Sequence, residues 1–198
     1  MYGRMGADSI QLHFFSINMT FAMVGTYVQC CLIAEEKEKN TLRGLMLSPA
    51  STIEILGGKS LLSFVLTVVV VFFCAFLSEY KPANMAIVAI AIILSTIFYI
   101  GLGTLLGLFA KSVMEASVIV LPVIAIFTGG SFLVAWADKY PVLKIVEFIP
   151  SIQLMDLATK VEAGANSIDV LSNLGILSVW VVVTIVCAVI LFKKRMMD

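Results

Sequence analysis

Long apolar runs alternate with short polar stretches along the whole chain. Each run is long enough to cross a hydrocarbon layer of about 30 Å as a helix, at 1.5 Å of rise per residue. The pattern therefore predicts an all-α polytopic membrane protein, with one transmembrane domain over residues 1–198. The five predicted transmembrane helices cover about residues 14–34, 60–77, 85–109, 116–134 and 173–192.

Residues 35–59 form a polar connector between the first two predicted spans, and charge is densest there. A charge at mid-membrane costs about 2.5–3.5 kcal/mol, whereas each Leu, Ile, Phe or Val returns only about 0.3–0.6 kcal/mol. The connector is therefore expected outside the lipid. Asn40 can cap a short helix with one apolar face, because Leu42, Leu45 and Met46 have helical spacing. A solvated loop with little helix is equally compatible with the spacing.

Residues 135–172 form the longest predicted stretch that does not span. Two apolar patterns with helical spacing predict two short amphipathic helices, lying at the membrane surface or dipping into it. We expect Ser151 to cap the second helix and Gly164 to end it. The apolar positions are Val142, Ile145, Val146 and Ile149 in the first helix, and Leu154, Leu157, Ala158 and Val161 in the second.

Composition supports a membrane protein, since 61% of the residues are hydrophobic and 13% are charged, with a mean hydropathy of +1.06. The net charge is zero, so nothing indicates a nucleic-acid partner. Structural thiols are favoured over a metal or redox site, because the cysteines lie in apolar stretches without metal-ligand spacing. These are Cys30, Cys31, Cys74 and Cys187.

The first predicted span carries a stripe of small and polar residues. Asn18, Ala22, Gly25 and Gln29 share one helical face, which we expect to contact protein or a path rather than lipid. Two interpretations are open: a packing seam, or a path or dimer face formed by Asn18, Gly25 and Gln29. In the third span the G-x-x-x-G spacing of Gly103 and Gly107 permits a close helix approach.

The connector resembles the signature of ABC-2-type transporter permeases, E-x-E-x-G-T-L-x-x-L-x-x-[ST]-P-x-S-x-x-E-x-x-x-G-K. Asn40 stands where that family usually has glycine. The resemblance implies that the connector holds a coupling helix that docks on a separate cytosolic ATPase subunit. It also implies a dimer with a second copy or a homologous permease. The residues expected to contact the ATPase are Glu35, Glu36, Glu38, Thr41, Leu42, Leu45 and Pro49. The other matching residues are Leu47, Ser48, Ser51, Glu54, Gly58 and Lys59.

The distribution of lysine and arginine predicts the orientation. A cytoplasmic C-terminus would place eight basic residues inside and five outside, as the positive-inside rule favours. The N-terminus is then outside, the connector is cytoplasmic and residues 135–172 are external. The inner set is Lys37, Lys39, Arg43, Lys59, Lys111, Lys193, Lys194 and Arg195, and the outer set is Arg4, Lys81, Lys139, Lys144 and Lys160.

Catalytic motifs are missing from the sequence. It contains no G-x-x-x-x-G-K-[ST], H-E-x-x-H or G-x-S-x-G, and it has a single histidine. We therefore expect no enzyme, cofactor or metal site in this chain, and ATP hydrolysis in a partner. Ionisable residues are scarce within the spans, which disfavours ion-coupled transport and suits an amphipathic or apolar cargo.

The sequence predicts the permease subunit of an ATP-driven ABC-2-type exporter in a cell membrane, and we expect a bacterial one. The alternative is a non-transporting scaffold or accessory subunit that recruits a cytosolic partner, and an intramembrane enzyme is a third hypothesis. Members of the family usually have six spans, so we interpret the five here as a shortened, split or fragmentary permease. No residue chooses among a drug, a peptide antibiotic and a lipid as cargo.

Overall fold

The computed structural model describes residues 7–39, 52–78, 82–137, 146–164 and 167–197. In these ranges the chain is helical, with short turns and no strand. Among the described residues five helices are long and apolar enough to cross a membrane, which confirms the predicted all-α class with five transmembrane helices. They are Leu12–Glu38, Gly57–Leu77, Met85–Phe109, Val113–Gly130 and Ile168–Lys194.

The first spanning helix changes its winding along its length. It consists of α1 (Ala7–Thr20), a π-helical stretch (Phe21–Val28) and α2 (Gln29–Glu38). The backbone stays in the right-handed helical region at both junctions, so the three parts form one continuous helix. The remaining helices are α3 (Thr52–Leu77), α4 (Met85–Phe109), α5 (Val113–Ala137), α6 (Pro150–Ala163) and α7 (Ser167–Met197).

Several helices extend beyond the apolar runs that predicted them. The helix α3 begins at Thr52, inside the predicted connector, and α7 runs from Ser167 to Met197. Helical hydrogen bonding does not stop where the hydrocarbon ends, so terminal turns continue into the polar region. The described part of the connector therefore consists of helix ends, while residues 40–51 lie outside the described ranges.

The helix α4 is the centre of the bundle and packs against the first spanning helix, α3, α5, α6 and α7. Its Tyr99 is fully buried and stacks on Phe21 of the π-helical stretch, with ring centroids 5.3 Å apart. Phe98 and Phe127 extend this aromatic core with further ring contacts. By contrast, α3 and α7 present large apolar side chains outward, as lipid-facing helices do.

The helix α6 dips into the bundle, since Leu154, Leu157 and Ala158 have no exposed surface. Gly164 ends it with a left-handed backbone (φ 70°), as predicted. The predicted cap at Ser151 is wrong: the N-cap is Ile149, and Pro150 occupies the first helical position, where its missing N–H costs nothing. Of the first predicted amphipathic helix, residues 146–148 form a 3₁₀ turn and residues 138–145 are outside the described ranges.

Candidate functional site

The residues predicted to contact an ATPase divide into two groups. Glu35, Glu36 and Glu38 lie on the last turns of α2, where the first spanning helix meets the connector. The other four are outside the described residues: Thr41, Leu42, Leu45 and Pro49. The described part of the candidate site therefore consists of the end of α2 and the adjacent ends of α3, α4 and α5.

Glu36 forms an ion pair with Lys59, which joins the end of α2 to α3. The side chains keep only 27% and 16% of their surface exposed, respectively, so the pair is shielded from bulk water. Partly buried pairs are screened less by salt than exposed ones. The two helices that flank the connector are thus held together by opposite charges at its two ends.

Lys37 binds the C-terminal end of α4. Its ammonium donates to the carbonyl oxygens of Leu108 (2.8 Å) and Ala110 (2.6 Å). The last carbonyls of a helix have no partner within the helix and carry the negative end of its dipole. A lysine at this position satisfies two of them and neutralises that end, so α2 is fastened to the central helix.

Glu38 binds the N-terminal end of α5, where its carboxylate accepts a hydrogen bond from the backbone N–H of Val113 (2.9 Å). The first turn is also closed locally: Glu115 accepts from the N–H of Lys111 (2.8 Å), and Ser112 accepts from the N–H of Glu115 (3.2 Å). Carboxylates are favoured at a helix N-terminus because the unpaired N–H groups and the dipole are positive there. We call the contacts of Glu36, Lys37 and Glu38 with α3, α4 and α5 the clamp.

Glu35 and Lys39 lie outside the clamp, on the exposed side of the same helix end. They form an ion pair one turn apart, with Nζ and Oε1 separated by 2.5 Å. The hydrogen bond from Lys39 to Glu35 and the charge of Glu35 raise the pKa of Lys39 above its ordinary value. Both side chains are largely solvent-accessible, at 47% and 65%, so water screens their attraction.

Gln29 is the centre of a buried polar network about two turns further into the bundle than the clamp. Its Nε2 donates to the hydroxyl oxygens of Thr104 (2.9 Å) and Ser60 (3.3 Å), and its Oε1 accepts from the hydroxyl of Ser63 (2.7 Å). The side chain has no exposed surface. This amide therefore connects the first spanning helix with α3 and α4.

Glycines let α4 approach the first spanning helix closely. A Cβ added to Gly103 would lie 2.5 Å from the carbonyl oxygen of Thr26, and one added to Gly107 would lie 2.7 Å from the Cβ of Ile33. Neither position accommodates a side chain without a backbone shift. The two glycines of the G-x-x-x-G motif in α4 thus face the half of the first spanning helix that is nearer the connector, which we call its inner half. Gly25 faces Tyr99 at 3.4 Å, an ordinary contact.

Asn18 lies toward the other end of the first spanning helix and contacts α6. Its Nδ2 donates to the carbonyl oxygen of Ser151 (3.1 Å), but its buried Oδ1 has no hydrogen-bond partner among the described residues. Asn18, Gly25 and Gln29, which the sequence grouped as a path or dimer face, are all buried among helices of the same chain. Within a single copy they occupy packing positions.

Two cavities are found among the described helices, the first away from the connector and the second beginning beside its end at Gly57. One, of about 490 Å³, lies between α6 and α7 beside an Asp156–Lys160–Asn173 network, in which Lys160 and Asp156 are 2.7 Å apart. The other, of about 480 Å³, is an apolar groove among α3, α4 and α7, lined by Phe64 and Ile185 among others. Its surface suits hydrocarbon rather than a polar ligand.

Sequence reasoning missed Lys37 and the hydroxyl partners of Gln29. In the sequence Lys37 is one of several charged residues of the connector. Its partners are backbone carbonyls, which cannot be recognised from the pattern of side chains. Two of these partners, Ser60 and Ser63, did leave a signal, because with Thr67 they fall at i, i+3 and i+7 on one face of α3. This polar stripe of α3 contacts the stripe of the first spanning helix through the hydrogen bonds of Gln29.

Comparison with known proteins identifies the family. A family model described as "ABC-2 family transporter protein" matches residues 9–190. The chain belongs to this family. The resemblance found in the connector is thereby confirmed, and the protein is a membrane component of an ABC-type transporter, a role that is not itself catalytic. Searches of curated proteins and of solved structures give no significant match.

Proposed function

We propose that this ABC-2 chain is the permease subunit of an exporter, driven by a separate ATPase that docks on residues 35–59. The observation that carries the proposal is the clamp. The helix end next to the connector binds α3 through Glu36, α4 through Lys37 and α5 through Glu38. A force applied to the connector would therefore reach three other helices at once.

The proposed orientation places the connector and the C-terminus in the cytoplasm of a bacterial cell. It rests on the excess of lysine and arginine on that side. The working unit is a pair of permeases, either two copies or this chain with a homologous one, together with the ATPase. Within this arrangement α6 and the cavity beside it face the outside.

The proposed cargo is amphipathic or apolar: a drug, a peptide antibiotic or a lipid. The apolar groove among α3, α4 and α7 supports this class, because its walls offer van der Waals contact and few hydrogen bonds. The hydroxyl groups of Ser60 and Thr104 at the groove are largely engaged with Gln29. A strongly polar cargo would find few partners there.

Co-purification with the ATPase tests the docking proposal. Glu35 is the best probe, because it is exposed and outside the clamp, so Glu35→Lys alters the surface without breaking a contact between helices. We expect this variant to lower both the bound ATPase and the permease-stimulated hydrolysis. Asp169→Lys reverses an exposed carboxylate at the opposite end, on α7, and serves as the matched control.

Retention of full association and hydrolysis by Glu35→Lys would argue against docking at this helix end. Reconstituted vesicles then separate an exporter from a scaffold. An exporter moves at least one of a fluorescent phospholipid, a lipophilic dye and an amphipathic peptide in an ATP-dependent manner. A chain that binds the ATPase and moves none of these probes fits the scaffold alternative.

A further inference from the structure

Two lysines at the end of α2 have different surroundings although they are two residues apart. Lys37 reaches across to the carbonyl oxygens of Leu108 and Ala110, whereas Lys39 pairs with Glu35 on its own helix. We propose that Lys37 is the positioning residue that transmits a displacement of the connector to the central helix α4. This inference rests on the proposed function, because it assumes that an ATPase moves the connector.

The partners of Lys37 are suited to transmit force. Both acceptors are main-chain carbonyls at the end of α4, so a pull on the ammonium acts on the helix backbone and not on a flexible side chain. Charge-assisted hydrogen bonds are roughly twice as strong as neutral ones. The helix α4 in turn contacts every other spanning helix, so a displacement of α4 would change its contacts with all of them.

The packing below Lys37 leaves α2 and α4 little room to slide past each other. Gly103 and Gly107 lie directly against the backbone of the first spanning helix, and Gln29 is hydrogen-bonded to Thr104. These contacts hold the two helices together over residues 103–107 of α4, whereas Leu108 and Ala110 at its end are held by Lys37. Lys37 thus joins α2 to the last turn of α4, next to the connector.

Glu38 extends the same unit to α5 through the N–H of Val113. The turn at residues 110–112, between α4 and α5, is thus held from both sides, by Lys37 at the end of α4 and by Glu38 at the start of α5. Together α2, this turn and the two adjoining helix ends form the unit that the inference assigns to transmission. Glu36 connects α3 to it by a separate ion pair.

A purely structural role for Lys37 is the competing explanation. A lysine that only caps α4 would stabilise the fold, but its removal would not alter the response of α4 to the nucleotide bound by the ATPase. The two roles differ in a readout that is independent of stability and of cargo: the change in amide hydrogen exchange between the nucleotide-free complex and the complex trapped with ADP and vanadate.

The experiment uses the full chain in complex with its ATPase in lipid nanodiscs. Lys37→Met removes the ammonium and keeps most of the apolar stem, Lys37→Arg keeps the donors, and Lys39→Met is the matched control. In the wild type and in Lys39→Met we expect trapping to change exchange at residues 100–113. In Lys37→Met, measured on complexes purified with bound ATPase, that change should shrink about tenfold. Lys37→Arg should restore most of it.

The outcomes separate the two levels of the argument. If the wild-type chain binds no ATPase, the proposed function is wrong and the inference fails with it. If the complex forms and Lys37→Met keeps the full nucleotide-dependent change, the transmission role is wrong while the docking proposal stands. A uniform rise in exchange across all helices, with an unchanged response to trapping, assigns Lys37 a structural role and likewise overturns the inference.

Discussion

The two halves of the first spanning helix differ in how closely they pack and in how their buried polar side chains are hydrogen-bonded. The inner half, toward the connector, packs so closely on α4 that Gly103 and Gly107 have no room for a Cβ, and the side chain of Gln29 is satisfied at both its oxygen and its nitrogen. The outer half packs with large side chains such as Phe14, and within the described part of the chain the buried Oδ1 of Asn18 has no partner.

This difference indicates where the bundle can rearrange. A closely packed interface whose buried amide is hydrogen-bonded resists relative motion, because any shift breaks contacts that cannot reform elsewhere. A buried acceptor without a partner already carries its desolvation cost, so a new arrangement can gain a hydrogen bond. We therefore expect the inner half to move as one body with α4 and the outer half to adjust at its contact with α6.

The largest effect is expected from Gly107→Ala, which places a methyl group 2.7 Å from the Cβ of Ile33. Because the helices must separate, the free energy of unfolding should fall by about 1–3 kcal/mol. Denaturant titration in detergent measures it. Gly175→Ala, on α7 with open space around it, is the matched control and should be neutral or slightly stabilising. Equal losses in both variants would contradict the close packing.

Gln29→Leu should come next, with a loss of about 1–3 kcal/mol from the hydroxyl partners left in the core. Ser63→Ala removes one of those partners alone. Because Ser63 donates to Gln29, the double variant should cost less than the two single losses added together. Strict additivity in this cycle would show that the network contributes no coupling across the inner half.

Asn18→Leu tests the outer half and should change the free energy of unfolding by less than about 1 kcal/mol. The variant loses the hydrogen bond to the carbonyl of Ser151, but it also removes the unpartnered oxygen. A loss as large as that of Gln29→Leu would remove the distinction between the halves. The same denaturant titration provides the comparison.

The smallest effect is expected at the exposed pair outside the clamp. Lys39→Met should leave the unfolding midpoint unchanged, because water and salt screen a pair whose side chains are 65% and 47% exposed. Lys37→Met should lower it, since two carbonyls of α4 lose their donor. Equal midpoints for the two variants would mean that the clamp does not stabilise the fold.

The spans and their helical class could be predicted from sequence because apolar runs of membrane length have few alternative structures. The family was accessible because residues 35–59 carry a spaced motif. The clamp could not be predicted from the sequence. Lys37 binds backbone carbonyls, which every residue has, and only the fold brings those of Leu108 and Ala110 close to it. The π-helical stretch at Phe21–Val28 likewise left no pattern in the sequence.

The orientation of the connector is the claim on which the functional account depends. It can be measured with single cysteines in a variant lacking the four native ones, using a membrane-impermeant maleimide on intact cells. Lys39→Cys, at the connector end, should react only after the cells are permeabilised, and Ala163→Cys, at the exposed end of α6, should react at once. Labelling of Lys39→Cys in intact cells would place the connector outside, beyond the reach of a cytosolic ATPase, and would contradict the account.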